Sequence, residues 1–483
     1  MRLIDVLMGD EALFDMDVID GNLDIAGLTC DSRAVRPGYV FAALPGARVD
    51  GRDYIQSAQE KGAVAVLAPV GTRAEIPVIE DANVRQRFAR MAANFFARQP
   101  ETIAAITGTN GKTSTASFLR QIWEHAGHKA ASVGTLGVHG AGFDEPGTLT
   151  TPDPVALHET LARLKDGGVE HVAMEASSHG LEQFRLDGVK IKAAGFTNIT
   201  RDHLDYHGTM QDYFAAKLRL FGEVLDADGT AVVNADCPQA QEIIAVARKR
   251  GLKTLTFGRG ANDICVLDRT AHDRGQNLSL QIGDQSYALE LPLIGEFQAE
   301  NALCALGLAM ALGMRAEDAV DALHHLQGVP GRLQSAGQVN GAAVLVDYAH
   351  TPDALENVIK AIRPHTQNKL YVLFGCGGDR DAGKRSQMGE VAARLADHVI
   401  VTDDNPRSED PATIRSQIMA ACPDAQNIGD RHDAIRQAVA ALIAGDVLVL
   451  AGKGHEQGQI VGDQILPFDD VAQARKAIEE VGK

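Results

Sequence analysis

An apolar run, Ala104-Ala105-Ile106, leads into Thr107-Gly108-Thr109-Asn110-Gly111-Lys112-Thr113-Ser114 and then into a helical pattern from Ala116 to Ala126. Strand, glycine turn, Lys-Thr and helix, in that order, suit the holding of phosphate. Glycines let backbone N–H groups converge on an anion, and the helix N-terminus adds its dipole. Lys112 would neutralise phosphate charge, and the Thr113 hydroxyl would sit on a Mg²⁺ ion. The spacing departs from the commonest phosphate loop, because Ile106 stands where that motif has its first glycine. The plainer alternative is a glycine turn carrying an exposed lysine. The order of features favours a user of ATP.

Four further constellations could do chemistry. Glu175, in Met174-Glu175-Ala176-Ser177-Ser178-His179-Gly180-Leu181, closes an apolar run. Ligands of doubly wound sheets lie beyond the carboxyl ends of strands, so this carboxylate could hold Mg²⁺, or it could cap a helix. The loop Asn198-Ile199-Thr200-Arg201-Asp202-His203-Leu204-Asp205-Tyr206-His207-Gly208 gathers histidines and aspartates, which suits a metal or phosphate site better than a core. Gly331-Arg332 and Asp347-Tyr348-Ala349-His350 place an arginine after a glycine turn and an acid at a strand end. The arginine fits a γ-phosphate, and Asp347 a ribose hydroxyl. Last come Gly375-Cys376-Gly377-Gly378-Asp379-Arg380-Asp381, Asp404-Asn405-Pro406-Arg407 and Gly452-Lys453-Gly454-His455-Glu456. Each follows an apolar strand, so all three should open on one edge of a sheet. Two arginines, an asparagine and a glutamate match an amino acid with two carboxylates and an ammonium. Lys217, in Tyr213-Phe214-Ala215-Ala216-Lys217-Leu218-Arg219, reads from periodicity alone as a solvated lysine on an amphipathic helix.

These loops need parallel strands to carry them. From about 101 to 330, apolar strands (Ile103 to Thr107, His171 to Met174, Ala193 to Asn198, Ala231 to Asn234) alternate with helices, which argues for a mostly parallel sheet. Residues 263 to 291 read as antiparallel strands with turns at Asp273-Arg274-Gly275 and Gly283-Asp284, and Gln298 to Gly313 as a helix. Beyond Gly328-Val329-Pro330-Gly331, strands at Val344 to Asp347, Leu370 to Phe374, Val399 to Val401 and Val447 to Leu450 suggest a second, dinucleotide-type α/β block. The N-terminal stretch mixes strands (Tyr39 to Leu44, Val64 to Leu67) and helices (Tyr54 to Lys61, Val84 to Arg98) up to a linker near Gln99-Pro100. The expected fold class is therefore α/β with three domains: 1–98, 99–330 and 331–483. The central domain is the parallel-sheet ATPase, and the last is Rossmann-like. Ligand clefts prefer such domain junctions.

With 483 residues the chain is too long for one core. Its formal charge of −18 disfavours nucleic acid and anionic membranes as partners. Six scattered cysteines lack paired metal spacing, and Met1-Arg2-Leu3-Ile4-Asp5 does not resemble a secretory leader, so a cytoplasmic protein with reduced thiols is expected.

The ordered set resembles the Mur ligase family along nearly the whole chain. It runs from Thr29-Cys30-Asp31-Ser32-Arg33 and Asp50-Gly51 through the phosphate loop, Thr150-Thr151-Pro152, the Glu175 and His203 loops and Lys217 to Arg332 and Asp347. Asp404-Asn405-Pro406-Arg407 resembles the signature of members that add meso-diaminopimelate. Lysine-adding members usually lack the arginine. The resemblance implies an ADP-forming ligase of peptidoglycan precursor synthesis, monomeric, using ATP and Mg²⁺. It would join diaminopimelate to UDP-N-acetylmuramoyl-L-alanyl-D-glutamate through an acyl phosphate. It implies ATP contacts from Gly108, Thr109, Asn110, Gly111, Lys112, Thr113, Ser114, Asn301, Arg332 and Asp347. Ser32, Thr150, Thr151, Ser177, Gln183 and Arg185 would hold the muramoyl dipeptide in a central site served by an N-terminal UDP-binding domain, with Ala47 to Val49 a looser match near the nucleotide. Arg380, Asp404, Asn405, Pro406, Arg407, Gly452 and Glu456 would hold diaminopimelate. Thr113, Glu175, His203 and Lys217 would serve the metal, with Lys217 carbamylated, reversing its solvated reading. Lys112, Lys217, His203 and Arg332 would be catalytic. Competing expectations are a ligase for L-lysine or for the glutamate tail of a folate, and a phosphate-loop switch that ligates nothing. Thr150-Thr151-Pro152 with Gln183 and Arg185 favours the muramoyl substrate over folate.

Overall fold

The computed structural model describes residues 1–7, 21–46, 49–147, 149–272 and 274–482. Ala47, Arg48 and Asp273 lie outside them. Main-chain contacts divide the chain into two compact units, one of residues 1–263 with 304–319, the other of 264–303 with 320–483.

The first unit opens with a parallel sheet of β1 (Gly27–Thr29), β2 (Tyr39–Ala42), β3 (Ala63–Ala68) and β4 (Val78–Glu80) in that order. The helix Val84–Phe96 begins at Asn83, whose side chain accepts from Gln86 N, and ends on left-handed Ala97. It packs against the helix Pro154–Asp166, and Gln86 Nε2 donates to Asp187 Oδ1 at 2.8 Å. That packing is why the first and second sheets cluster as one unit rather than as separate blocks.

The second sheet of this unit comprises β5 (Thr102–Thr107), β6 (Ala130–Gly134), β7 (Gly137–Gly140), β8 (Phe143–Pro146), β9 (His171–Glu175), β10 (Ala193–Phe196), β11 (Thr230–Asn234) and β12 (Lys253–Gly258). Their spatial order is β12-β11-β10-β5-β9-β6-β7-β8. Strands β12 to β6 in that order run parallel, and β7 and β8 are antiparallel at the edge. Ile103, Ala104, Ala105 and Ile106 of β5 have no exposed surface. Covered on both faces, such strands read as unbroken apolar runs, which is why they were visible in sequence. The small-residue strand β6 and the glycine-bounded edge β7–β8 carry no such signal.

The second unit contains an antiparallel meander of β13 (Ile264–His272), β14 (Gly275–Ile282) and β15 (Gln285–Leu291). Its main sheet has the order β16 (Gln334–Val339), β17 (Ala342–Asp347), β21 (Val447–Ala451), β18 (Leu370–Phe374), β19 (His398–Val401), β20 (Gln426–Asn427), with only β16 antiparallel. Alternate residues serve two cores, as a period of two requires. Leu370, Val372 and Phe374 face the helices Pro352–Ile362, Gly383–Leu395 and Pro411–Met419. Leu373, Leu448 and Leu450 face Arg431–Ala440 and Asp470–Val481. The hairpin β22 (Gly458–Val461) and β23 (Gln464–Pro467) stands apart from this sheet. The polar edge strand β16 and this hairpin were not foreseen.

No disulfide links the cysteines, and among the described residues no helix is long and apolar enough to cross a membrane.

His158 is buried in the first unit, and among the described residues its Nε2 has no hydrogen-bond partner. Burial pushes its pKa down from 6.5 to about 4. The unfolded chain therefore takes up a proton here on acidification before the folded chain does. Stability falls as the pH drops from about 6.5 through about 4, by roughly 3 kcal/mol for this group. H158Q should flatten that acid limb in urea melts taken across pH 4–7. An unchanged slope would show that this imidazole does not titrate as its burial demands.

Candidate active site

The parallel strands of the first unit bring three loop ends level. Thr107 pairs with Phe196, and Ile106 with Glu175, so the turns after β5, β9 and β10 emerge side by side. Gly108 has φ +148, and a Cβ there would collide with the Thr197 hydroxyl. The position therefore demands glycine. Gly111, also left-handed, precedes the helix Lys112–His125, which carries Thr113 and buried Ser114 in its first turn. The loop is pinned from β10. Asn198 Oδ1 accepts from Asn110 N at 3.0 Å, Thr197 Oγ1 donates to Asn110 O at 2.6 Å, and Thr109 N donates to Asn198 O at 2.9 Å.

Two ammonium groups converge on this loop. Lys112 Nζ donates to Gly108 O and Thr109 O at 3.0 and 2.8 Å. Lys217 Nζ donates to the same Gly108 O at 2.7 Å. Lys217 is 1 % exposed, on the helix Met210–Arg219, with its Nζ 4.3 Å from the Tyr213 ring centre. The solvated reading of Lys217 is thus excluded. Burial first, and the Lys112 charge second, drive its pKa well below the ordinary value, toward the neutral amine. Tyr213 was not anticipated. Its buried hydroxyl meets Thr109 Oγ1 at 3.0 Å, and burial pushes its pKa up to about 12.

Glu175 is buried at the end of β9 and accepts from Thr135 N at 2.8 Å and Thr135 Oγ1 at 3.3 Å. The Thr135 hydroxyl in turn meets Thr150 Oγ1 at 3.0 Å. From there the predicted dipeptide residues form one chain. Thr151 Oγ1 donates to Glu175 O and accepts from Ser177 N and Oγ, all at 3.0 Å. Arg185 donates to Thr151 O and to Gln183 Oε1, both at 2.7 Å, and Gln183 Nε2 donates to Tyr206 at 3.0 Å. Burial lowers the Arg185 pKa, with Asp153, Arg85 and Cys30 in electrostatic reach. The loop bearing Ser32 therefore approaches the same region. Ser32 itself accepts from Lys61 Nζ at 2.8 Å through its carbonyl.

His203 is less integrated. Its backbone is left-handed, its side chain is 46 % exposed, and Asp202 lies 3.5 Å away. Its ring packs against His179 at 4.9 Å and Tyr213 at 6.0 Å, so His203 and Lys217 flank one tyrosine. For Mg²⁺ the fit rests on Thr113 and Glu175, hard oxygen donors of the type that cation prefers.

In the second unit, Asn301 Nδ2 donates to Gln298 Oε1 at 3.1 Å, and Gln298 Nε2 donates to Arg332 O at 2.9 Å. Asp347 accepts from Leu333 N and Ala349 N, both at 2.8 Å, and so holds the turn that presents Arg332. The Arg332 guanidinium lies 5.5 Å from the Tyr348 ring centre, and Tyr348 packs on His455 at 5.1 Å. These residues come together with the last of the three glycine loops. Asn405 Nδ2 donates to Glu456 Oε2 at 2.9 Å. Arg407 Nη1 donates to Gly378 O at 2.8 Å from a left-handed backbone, and a Cβ at Gly378 would strike Pro406 O. Buried Asp404 borders Gly452, while Arg380 stands exposed. Arg385 and Glu409, missed in sequence, brace this corner. Arg385 is 1 % exposed, bonds both Glu409 oxygens at 2.9 Å, and leaves Glu409 Oε1 to accept from Asp379 N at 2.6 Å.

Family models match three consecutive stretches: the Mur ligase family, catalytic domain, over residues 24–96, the Mur ligase middle domain over 106–309, and the Mur ligase, glutamate ligase domain, over 331–454. A UDP-N-acetylmuramoyl-L-alanyl-D-glutamate--2,6-diaminopimelate ligase of Rhizobium meliloti (strain 1021) is 54 % identical over 460 residues, 94 % of each chain. The chain belongs to the Mur ligase family. A Mur ligase of the same description from Agrobacterium fabrum (strain C58) is 52 % identical over 95 % of this chain and 94 % of its own. A solved structure with that description superposes with a TM-score of 0.79 at 34 % identity, covering 100 % of this chain and 99 % of the other. In this Mur ligase the α/β architecture with parallel sheets foreseen in sequence is the fold of its relatives.

G108A should cut ADP affinity about a hundredfold, because the loop cannot keep its shape around the added methyl. Calorimetric titration with ADP would read the loss, with far-UV circular dichroism showing the sheets intact. Undiminished affinity would remove this loop from the nucleotide site.

Proposed function

We propose that this Mur ligase is an ADP-forming acid–amino acid ligase that adds meso-2,6-diaminopimelate to UDP-N-acetylmuramoyl-L-alanyl-D-glutamate in cytoplasmic peptidoglycan precursor synthesis, with ATP as co-substrate. The observation that carries the choice of amino acid is the meeting of three loops at one sheet edge, where Asn405 donates to Glu456 Oε2 and Arg407 donates to Gly378 O. The relatives' description supports the same substrate. The three blocks 1–98, 99–330 and 331–483 are proposed to serve the UDP moiety, ATP and the amino acid respectively, in a monomer.

In this reading the γ-carboxylate of the D-glutamyl residue attacks the terminal phosphorus of ATP, and ADP leaves. The diaminopimelate amine, as a free base, attacks the acyl carbon of the resulting acyl phosphate. Phosphate leaves from the tetrahedral intermediate, and the nitrogen gives up its proton. Little covalent chemistry falls to the protein, so positioning and charge neutralisation dominate. The phosphate-loop N–H groups and Lys112 hold the ATP phosphates, and Arg332 offsets charge on the transferring group. Thr150, Thr151, Ser177, Gln183 and Arg185 orient the muramoyl dipeptide. Thr113 and Glu175, with His203 and Lys217 carrying supporting roles, would hold Mg²⁺, which when bound screens the phosphate oxygens. The neutral Lys217 amine is the form that reacts with CO₂, and the carbamate turns a cation into an anion. Arg407 pairs with the carboxylate that diaminopimelate has and L-lysine lacks.

A phosphate-release assay over a panel of amines tests the whole reading. Release should require both the muramoyl dipeptide and diaminopimelate, while amine-independent turnover would overturn it in favour of a nucleotide switch. R407A should raise KM for diaminopimelate about 30-fold with KM for ATP little changed. Equal losses for both substrates would contradict the assigned role. K217A should lower kcat by about a hundredfold to a thousandfold and recover in part with added formate or acetate. Full activity in K217A would remove the carbamate from the mechanism.

A further inference from the structure

Lys453 has no assigned part in the reaction, yet it lies at the centre of the amino-acid loops. Its side chain is wholly buried. Its Nζ donates to Asn405 Oδ1 at 3.0 Å and to Glu456 Oε2 at 3.1 Å. Ile460 N, on β22, donates to the same Asn405 Oδ1 at 2.9 Å. An asparagine side chain has one acceptor atom and one donor group, which can exchange places by a simple flip. Two donors on one side settle the choice. The oxygen faces Lys453 and Ile460, and the amide NH₂ is turned toward Glu456. Without Lys453 a single backbone N–H would be left to decide the orientation, and a flipped amide would aim its oxygen at the Glu456 carboxylate.

Lys453 also sets a cation against the recognising acid. Its Nζ lies 3.1 Å from Glu456 Oε2, so its removal would leave that carboxylate without this partner.

We propose that Lys453 is a positioning residue for diaminopimelate, locking the Asn405 amide and balancing Glu456 so that both side chains present the right groups to the substrate. The inference rests on the proposed function. Lys453 touches the recognising side chains, and its effect should therefore appear in amino-acid KM and leave phosphate transfer intact.

K453M removes charge and donor at similar volume, and K453Q removes the charge but keeps a donor group on a side chain one bond shorter. K453M should raise KM for diaminopimelate about 30-fold, with KM for ATP within about threefold of wild type. K453Q should fall between the two. Both should keep the wild-type circular dichroism spectrum. Equal rises in the two KM values, or an unchanged KM for diaminopimelate, would overturn the assignment. Loss of folded signal in both variants would make Lys453 a folding residue and overturn it as well. Failure of the wild-type protein to ligate diaminopimelate would instead overturn the proposed function, and this inference with it.

Discussion

One carbonyl oxygen, that of Gly108, accepts from two lysine ammonium groups. In a chain with a net charge of −18, two lysine nitrogens are brought here to a single acceptor. One of the two lysines is buried to 1 % exposure, and two like charges in a poorly solvated site cannot both persist at low cost. The arrangement therefore separates their chemistry. Burial, with the Lys112 charge beside it, drives Lys217 toward the neutral amine. Much of the surrounding construction preserves this pairing: the left-handed Gly108, the Asn198 clasp on the loop, and the Tyr213 ring beside Lys217.

The rest of the first site follows from strand register. Because β5, β9 and β10 end level, Glu175 and the Asn198 loop meet the phosphate loop without long connecting segments. The hydrogen-bond chain from Glu175 through Thr135, Thr150, Thr151 and Arg185 to Gln183 links the phosphate-loop neighbourhood to the residues expected to hold the second substrate.

What could be seen in the sequence followed from burial on both faces and from glycine chemistry. The core strands β5, β9, β10, β17, β18 and β21 are unbroken apolar runs, and the loops they carry stand out by residue type. Lys217 shows the limit. Helical periodicity points it to solvent, and its burial comes from the phosphate loop approaching from 109 positions away in sequence, which no local pattern records. Thr135 and Tyr213 are unremarkable residues made important by a partner, and the same holds for Lys453, Arg385 and Glu409. His203 stood out by composition, yet its side chain is nearly half exposed and anchored chiefly by ring contacts.

The Asp404–Arg407 segment does not keep its shape by itself. Gln459 Nε2 donates to Asp404 O, Ile460 N to Asn405 Oδ1, Arg407 N to Ile460 O and Gly462 N to Arg407 O, so the segment lies along β22 like an added strand. At its other side the buried Arg431–Asp470 pair reaches the carbonyls of Asp403 and Ala451, at the roots of two loops. The four-letter signature is therefore half of a composite. Transplanting it into a lysine-adding relative without the matching hairpin and arginine brace would move the letters but leave their meaning behind.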